Sequence, residues 1–411
     1  MTTELPFFTE LMSFKDRIFI SRKNDTRNLI LLSLLFFVIA AGVALVFGVK
    51  HVNDSHRYLE YATNLQGGFY FERHNFWYIG YVGFIYFVRL ITNSSDPVFL
   101  IVSQYLYSWI AFILLYRTIR IFDSKGFSPL IGALLYFLFI EIMIWNAYIL
   151  CESFYFNSVV IALYFLSRLW KGKRKGVWTV IAVVFSILLV TLSKPTGVLF
   201  LLAVFITFFM KFWLQSGLPK IGKAGVAVVL ICVSVLMLNR MLDSFLIIEN
   251  YQLGEVIYAI TTLPSNPMYS GLVVEVPQQL NMLPETYSPL WRMSYFIFNN
   301  FSFWSELFFK KIYYFLLHVR PFWSMEHNAL NILTLLPVYF LSFWQWKKSD
   351  LVVKVFAASY FILQTVAIGM TSVDWDGRFL VPVFPLLIIL SALRINDLIL
   401  NALKRVSNRD Q

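Results

Sequence analysis

Charged side chains are scarce in this sequence, and the scarcity excludes most soluble folds. They make up 14% of 411 residues, against 59% hydrophobic, which is more apolar surface than a water-soluble domain can cover. Cysteine is nearly absent. Cys151 falls at an expected span end and Cys232 in mid-span, so neither a disulfide framework nor a cysteine metal site follows. There is no HExxH, P-loop, GxGxxG before a helix or nucleophile elbow, which argues against hydrolysis by a zinc or serine constellation. Internal repeats and low-complexity tracts are missing as well. No cleavable signal pattern is present: residues 1–28 are polar and mixed, and the apolar run 28–48 is long enough to stay as a span.

What remains points to a polytopic all-α membrane protein. Apolar runs predict about ten transmembrane helices, with juxtamembrane helices on the outer face. The runs are 29–49, 97–117, 128–147, 152–170, 176–192, 196–214, 222–241, 327–346, 351–371 and 379–399. This divides the chain into a cytoplasmic segment 1–28, a seven-span core 29–241 that includes an outer loop 50–96, a large outer loop 242–326, three last spans 327–399 and a cytoplasmic tail 400–411. In the large loop, Pro264, Pro267, Pro277, Pro284 and Pro289 mark an irregular stretch. The apolar run 291–317 then reads as a helix on the membrane surface. The run 76–91 reads the same way.

The net charge of +11 suggests nucleic acid only until its distribution is examined. Of the 34 Lys and Arg residues, 23 fall in segments 1–28, 117–125, 168–175, 211–223, 347–354 and beyond 390. With the acids included, these segments carry +15 and the opposite side −3, the remaining negative charge being Glu141 within a span. That asymmetry is the positive-inside rule, and it places both termini in the cytoplasm without any nucleic-acid partner.

The unusual polar residues collect on the outer side. Asp54, Tyr58 and Glu72 lie in the first loop, and Glu152 opens the fourth span. Lys194 sits in a tight turn before Pro195, His318 and Arg320 follow the surface run, and Asp374, Asp376 and Arg378 precede the last span. Acids beside scattered cations at one interface suit an anionic, membrane-bound substrate: cations hold a phosphate and an acid takes a proton from a hydroxyl. Blander readings stay open. Asp54 fits a helix N-cap and Glu152 the start of its span, Lys194 a snorkelling lysine, and Glu72 an ordinary interfacial acid. Glu141 lies inside an expected span, where an ionisable group has a partner or a role. Asp374 and Asp376 are the candidates for a divalent metal, the only cofactor considered.

In their order, several of these residues resemble the C-type membrane glycosyltransferases, the group of the lipid A aminoarabinose transferases and protein O-mannosyltransferases. The stretches are Asp54-Ser-His-Arg-Tyr58-Leu-Glu-Tyr-Ala62, Glu152-Ser153, Lys194-Pro195-Thr196-Gly197 and Arg378-Phe-Leu-Val-Pro382-Val-Phe-Pro385. The sequence departs from the family in having Lys before that proline, where Arg is frequent, and in lacking a soluble C-terminal domain. Asn53-Asp54 also stands where a two-acid motif is found. The resemblance implies a donor sugar on a polyprenyl phosphate and a lipid, glycan or protein hydroxyl as acceptor, among membrane lipids. It implies Asp54 as general base, and Lys194, Arg378 and Arg320 as partners of the departing phosphate. Tyr58, Glu152, Glu72 and His318 would position sugar or acceptor. An O-antigen polymerase or ligase with a diphosphate-linked donor is an alternative, as is a lipid or polysaccharide transporter.

Compact loops and the lack of a retention signal point to a bacterial inner membrane with a periplasmic site. The topology is checked by reporter fusions: alkaline phosphatase joined after residue 290 is expected to be active, and joined after residue 175, inactive.

Overall fold

The computed structural model describes residues 22–407 except 66–74, 125, 173–175, 218, 244–250 and 265. Glu72, expected near the site, lies outside the described residues. The described chain is all-helical, and its only β pairings are isolated bridges such as Lys50 with Tyr148 and Ile257 with Val373.

Among the described residues, seven helices are long and apolar enough to cross a membrane. They are α1 (Arg22–Phe47), α4 (Pro97–Phe122), α9 (Gly197–Gln215), α10 (Lys220–Asp243), α13 (Met325–Lys348), α14 (Leu351–Met370) and α15 (Phe384–Ser407). Between α1 and α4 lie α2 (Asn53–Asn64) and α3 (Ile79–Thr92), which pack on each other. Local signals set the ends. Asp96 caps α4, its carboxylate accepting from Val98 N at 2.9 Å with Pro97 in the first turn. Ser324 caps α13 through His327 N at 3.2 Å.

Three of the ten expected spans take another form. The run 128–147 is broken into α5 (Ser128–Leu138) and the short α6 (Glu141–Ile144), bent by 66°. Counted as one span, the pair makes eight. The run 152–170 is α7 (Cys151–Lys171), long enough but too polar to pass as a lipid-facing span. The reason is its place: it packs between α4 and α8 (Val177–Thr191), and 14 of its 21 residues are buried. Protein, not lipid, is its solvent, so it tolerates Ser153, Asn157 and Ser158. The third, α8, has only 15 residues.

The break after α5 is held by a buried polar network. Gln104 of α4 donates to the carbonyls of Asn146 and Tyr148 at 2.8 and 2.9 Å and accepts from the Tyr81 hydroxyl at 2.8 Å. Ser153 Oγ donates to Asn146 Oδ1 at 2.5 Å. Irregular backbone inside a bundle needs such partners because no water is there to replace them.

The expected surface helix 291–317 is two helices, α11 (Pro289–Asn299) and α12 (Phe301–Leu317). Asn300 interrupts them: its amide exchanges hydrogen bonds with the backbone of Asn281 at 2.8 and 3.0 Å, diverting it from helical geometry. The preceding stretch is turn-rich, as its prolines predict, and it is tied to the segment after α14. Tyr258 N donates to Val373 O at 3.1 Å, and Val373 N to Val256 O at 3.0 Å.

Lys311 of α12 secures this junction. It is fully buried, with Nζ donating to Thr371 O and lying 3.7 Å from the centre of the Tyr251 ring. Burial pushes its ammonium down from 10.5 to about 7, against the pull of Glu255. Below about pH 7 the lysine is protonated in both folded and unfolded chains; between that pH and its ordinary value the unfolded chain binds more protons, so stability rises with pH. Unfolding midpoints in detergent between pH 6.5 and 10 are expected to rise more steeply for wild type than for Lys311→Met.

Candidate functional site

Five residues that the sequence scatters between positions 54 and 378 meet at one end of the bundle. The centre is Glu152, in the first turn of α7, where a helix N-terminus favours negative charge. Its side chain is 5% exposed, and its Oε1 faces two cations: Lys194 Nζ at 2.9 Å and Arg378 Nε at 3.5 Å. Lys194 also lies 4.4 Å from the centre of the Phe379 ring, an attraction that strengthens away from water.

Each of the three groups is placed by its local backbone. Glu152 is set by a bridge on which Lys50 N donates to Ala147 O at 2.9 Å and Ile149 N to Lys50 O at 3.1 Å. Lys194 sits in the turn between α8 and α9, closed by Gly197 N on Lys194 O at 2.8 Å. That turn requires glycine, since a Cβ on Gly197 would lie 2.1 Å from Val190 O. Arg378 lies in the loop between α14 and α15. Burial alone would lower its pKa, but Glu152, then Asp374 and Asp54, raise it above the ordinary arginine value, so it is a permanent cation.

Asp54 stands on the open side. It lies in the first turn of α2 but does not cap it. The N-cap is Val52, whose N–H is satisfied by Ser55 Oγ at 3.0 Å, so the capping reading of Asp54 falls. Its carboxylate is 42% exposed and pairs with Arg57 Nη2 at 3.2 Å. The Arg57 guanidinium lies 5.0 Å from the centres of both the Tyr58 and Tyr78 rings and donates to the Tyr58 hydroxyl at 3.2 Å. That hydroxyl lies 3.6 Å from Cys151 Sγ, which in turn lies 3.6 Å from Glu152 Oε2. A continuous polar chain therefore runs from Asp54 at the surface to Glu152 inside. Burial, then the neighbouring Cys151 and Tyr78, push the Tyr58 phenol well up, so it is a hydrogen-bond donor and not a base.

Arg57 and Cys151 were not among the site residues named from sequence. Arg57 was legible there, being three residues from Asp54 on one helical face; Cys151 carried no signal beyond adjacency to Glu152.

Other expected residues turn inward. Arg320 is 1% exposed, and its guanidinium donates to Asp374 O at 3.0 and 2.7 Å and to the carbonyls of Tyr314 and Val319 at 2.9 and 2.8 Å. It grips the chain and is not free to face a phosphate. His318 is buried, with Nε2 between both Glu141 oxygens at 2.8 and 2.9 Å, so it does not reach a sugar or an acceptor. The pair also accounts for Glu141. Asp374 is buried 3.6 Å from Arg320 Nη2, while Asp376 is exposed. Among the described residues no three His, Cys, Asp or Glu side chains gather to hold a metal, and two carboxylates, one facing a cation, make a poor donor set.

The described chain is thus a multi-pass type of helical protein with a partly buried charged cluster at one end. Comparison with protein-family models, curated proteins and solved structures finds no match.

Glu152→Gln removes the carboxylate that Lys194 and Arg378 share and is expected to cost about 3–5 kcal/mol of stability. Lys194→Met is milder, because Arg378 still pairs with Glu152. Denaturant unfolding of purified variants in detergent tests the order.

Proposed function

We propose that the protein is a glycosyltransferase of the C-type membrane class, moving a sugar from a polyprenyl phosphate to a hydroxyl acceptor on a lipid, glycan or protein. The observation that carries this reading is the convergence of Asp54, Tyr58, Glu152, Lys194 and Arg378 into one cluster, ordered from an exposed carboxylate to a half-buried arginine and a buried lysine. On this reading the cluster faces the periplasm of a bacterial inner membrane and both termini are cytoplasmic, in keeping with the charge asymmetry of the loops.

The roles follow from exposure and pairing. Asp54 takes the proton of the acceptor hydroxyl, whose oxygen attacks the anomeric carbon with inversion. The bond from that carbon to the phosphate oxygen breaks, and its electron pair leaves with the lipid phosphate. Two cations share one carboxylate at Glu152, which leaves a positive surplus for the departing anion. Arg378 is the cation that meets it, being 24% exposed, with Lys194 behind. Because the site is fixed before charge develops, stabilisation needs no reorganisation during the reaction. A neutralised phosphate leaves without a separate acid. Glu152, held between the cations, is poorly placed to accept a proton, which favours Asp54 as base. The inward-facing His318 and Arg320 lend no support to a polymerase or ligase that would use a loop His and Arg.

Asp54→Asn separates base from scaffold, because the side chain is exposed and its loss should not unfold the chain. Transfer from a panel of polyprenyl-phosphate sugars is expected to fall at least roughly a hundredfold, the scale of a lost general base, with the melting temperature unchanged. Near-normal transfer by the variant would remove Asp54 from the chemistry. Wild-type transfer only from diphosphate-linked donors would favour the polymerase or ligase.

A further inference from the structure

The reading above leaves His318 and Glu141 without a function, although the histidine is buried and the two are paired. His318 ends α12 with φ 55, in the left-handed region that a residue with a side chain rarely adopts. Its conformation is over-determined: Asn331 Nδ2 donates to its carbonyl at 2.8 Å, Glu141 brackets its Nε2, and Trp323 and Phe384 flank the ring, with centroids at 5.6 and 6.3 Å. The ring is a support for one backbone turn. Gly377, at φ +78, lies so close that a Cβ there would stand 2.0 Å from His318 Cε1 and 2.6 Å from Nε2. Held by Glu141 and flanked by two aromatic rings, the imidazole has nowhere to yield. The next residue is Arg378.

We propose that His318, anchored by Glu141, is the positioning residue for Arg378: it supports the Gly377 turn and so directs the guanidinium toward Glu152. Arg320 holds the other end of the same short loop through the carbonyl of Asp374. The loop is thereby fixed at both ends, and Arg378 needs no contact of its own with the support. Glu141 reaches the imidazole because the expected span breaks just before it, between α5 and α6.

The test has two arms, and only the second rests on the proposed function. In the first, thermal unfolding of the full chain in detergent gives the coupling between Arg378→Gln and Glu152→Gln. The non-additive shift in melting temperature is expected to be clear in the wild-type background and at least halved in His318→Asn. Gly377→Ala, which pushes on the turn from the other side, supplies the same reading if His318→Asn fails to fold. An unchanged coupling would overturn the inference. In the second, native mass spectrometry measures binding of a polyprenyl monophosphate. Arg378→Gln and His318→Asn should each weaken it by roughly tenfold, yet the double variant should bind no worse than Arg378→Gln alone, as for residues acting through one group. Additive losses would mean that His318 acts on the fold at large. If coupling in the first arm responds to His318→Asn while wild type binds no polyprenyl monophosphate, the donor reading fails and the positioning role stands.

Discussion

A single carboxylate shared by two cations is the constraint around which the site end of this molecule is built. Removing Glu152, Lys194 and Arg378 from water is costly, and that cost is recovered only if the three meet in good geometry. They come from α7, from the turn between α8 and α9, and from the loop before α15. The requirement accounts for features that otherwise look incidental: the glycine that closes the Lys194 turn, the bridge at Lys50 that starts α7, and the buried Arg320 that grips the loop carrying Arg378. Where water is scarce, the positive surplus of this triad acts more strongly than it would at a surface.

A second constraint lies deeper in the bundle. The chain does not run straight through between residues 138 and 151, and every backbone group of such a break must find a partner. Gln104, Asn146, Ser153 and Tyr81 supply several of them. Of these only Ser153 belongs to α7, which with Asn157 and Ser158 is too polar for a lipid-facing span and is enclosed by protein along most of its length. The same break brings Glu141 to His318, and through Gly377 to Arg378. The irregular segment and the charged cluster are thus parts of one arrangement.

Much of this was legible along the chain because it depends on composition and local pattern. Apolar run length located the helices, and the Asp96-Pro97 pair marked a helix start. Ionisable residues in so apolar a chain stood out as candidates, and Asp54, Tyr58, Glu152, Lys194 and Arg378 do converge. Less legible were pairings between residues distant in sequence. His318 and Arg320 read as site candidates at the end of the surface run, and only packing shows them buried against Glu141 and Asp374. Asn300 looked like part of a continuous helix until the partner of its side chain, Asn281, was placed beside it.

By itself the sequence determined that the chain is helical and apolar enough for several membrane crossings, because hydrophobic run length and scarce charge are properties of the chain alone. It also determined which few ionisable groups required partners. The tertiary structure decided which partners they have, which expected spans are broken or enclosed, and which charges remain open to a ligand. A buried ion pair and a supported turn depend on segments far apart in sequence, and their geometry exists only after the helices have packed.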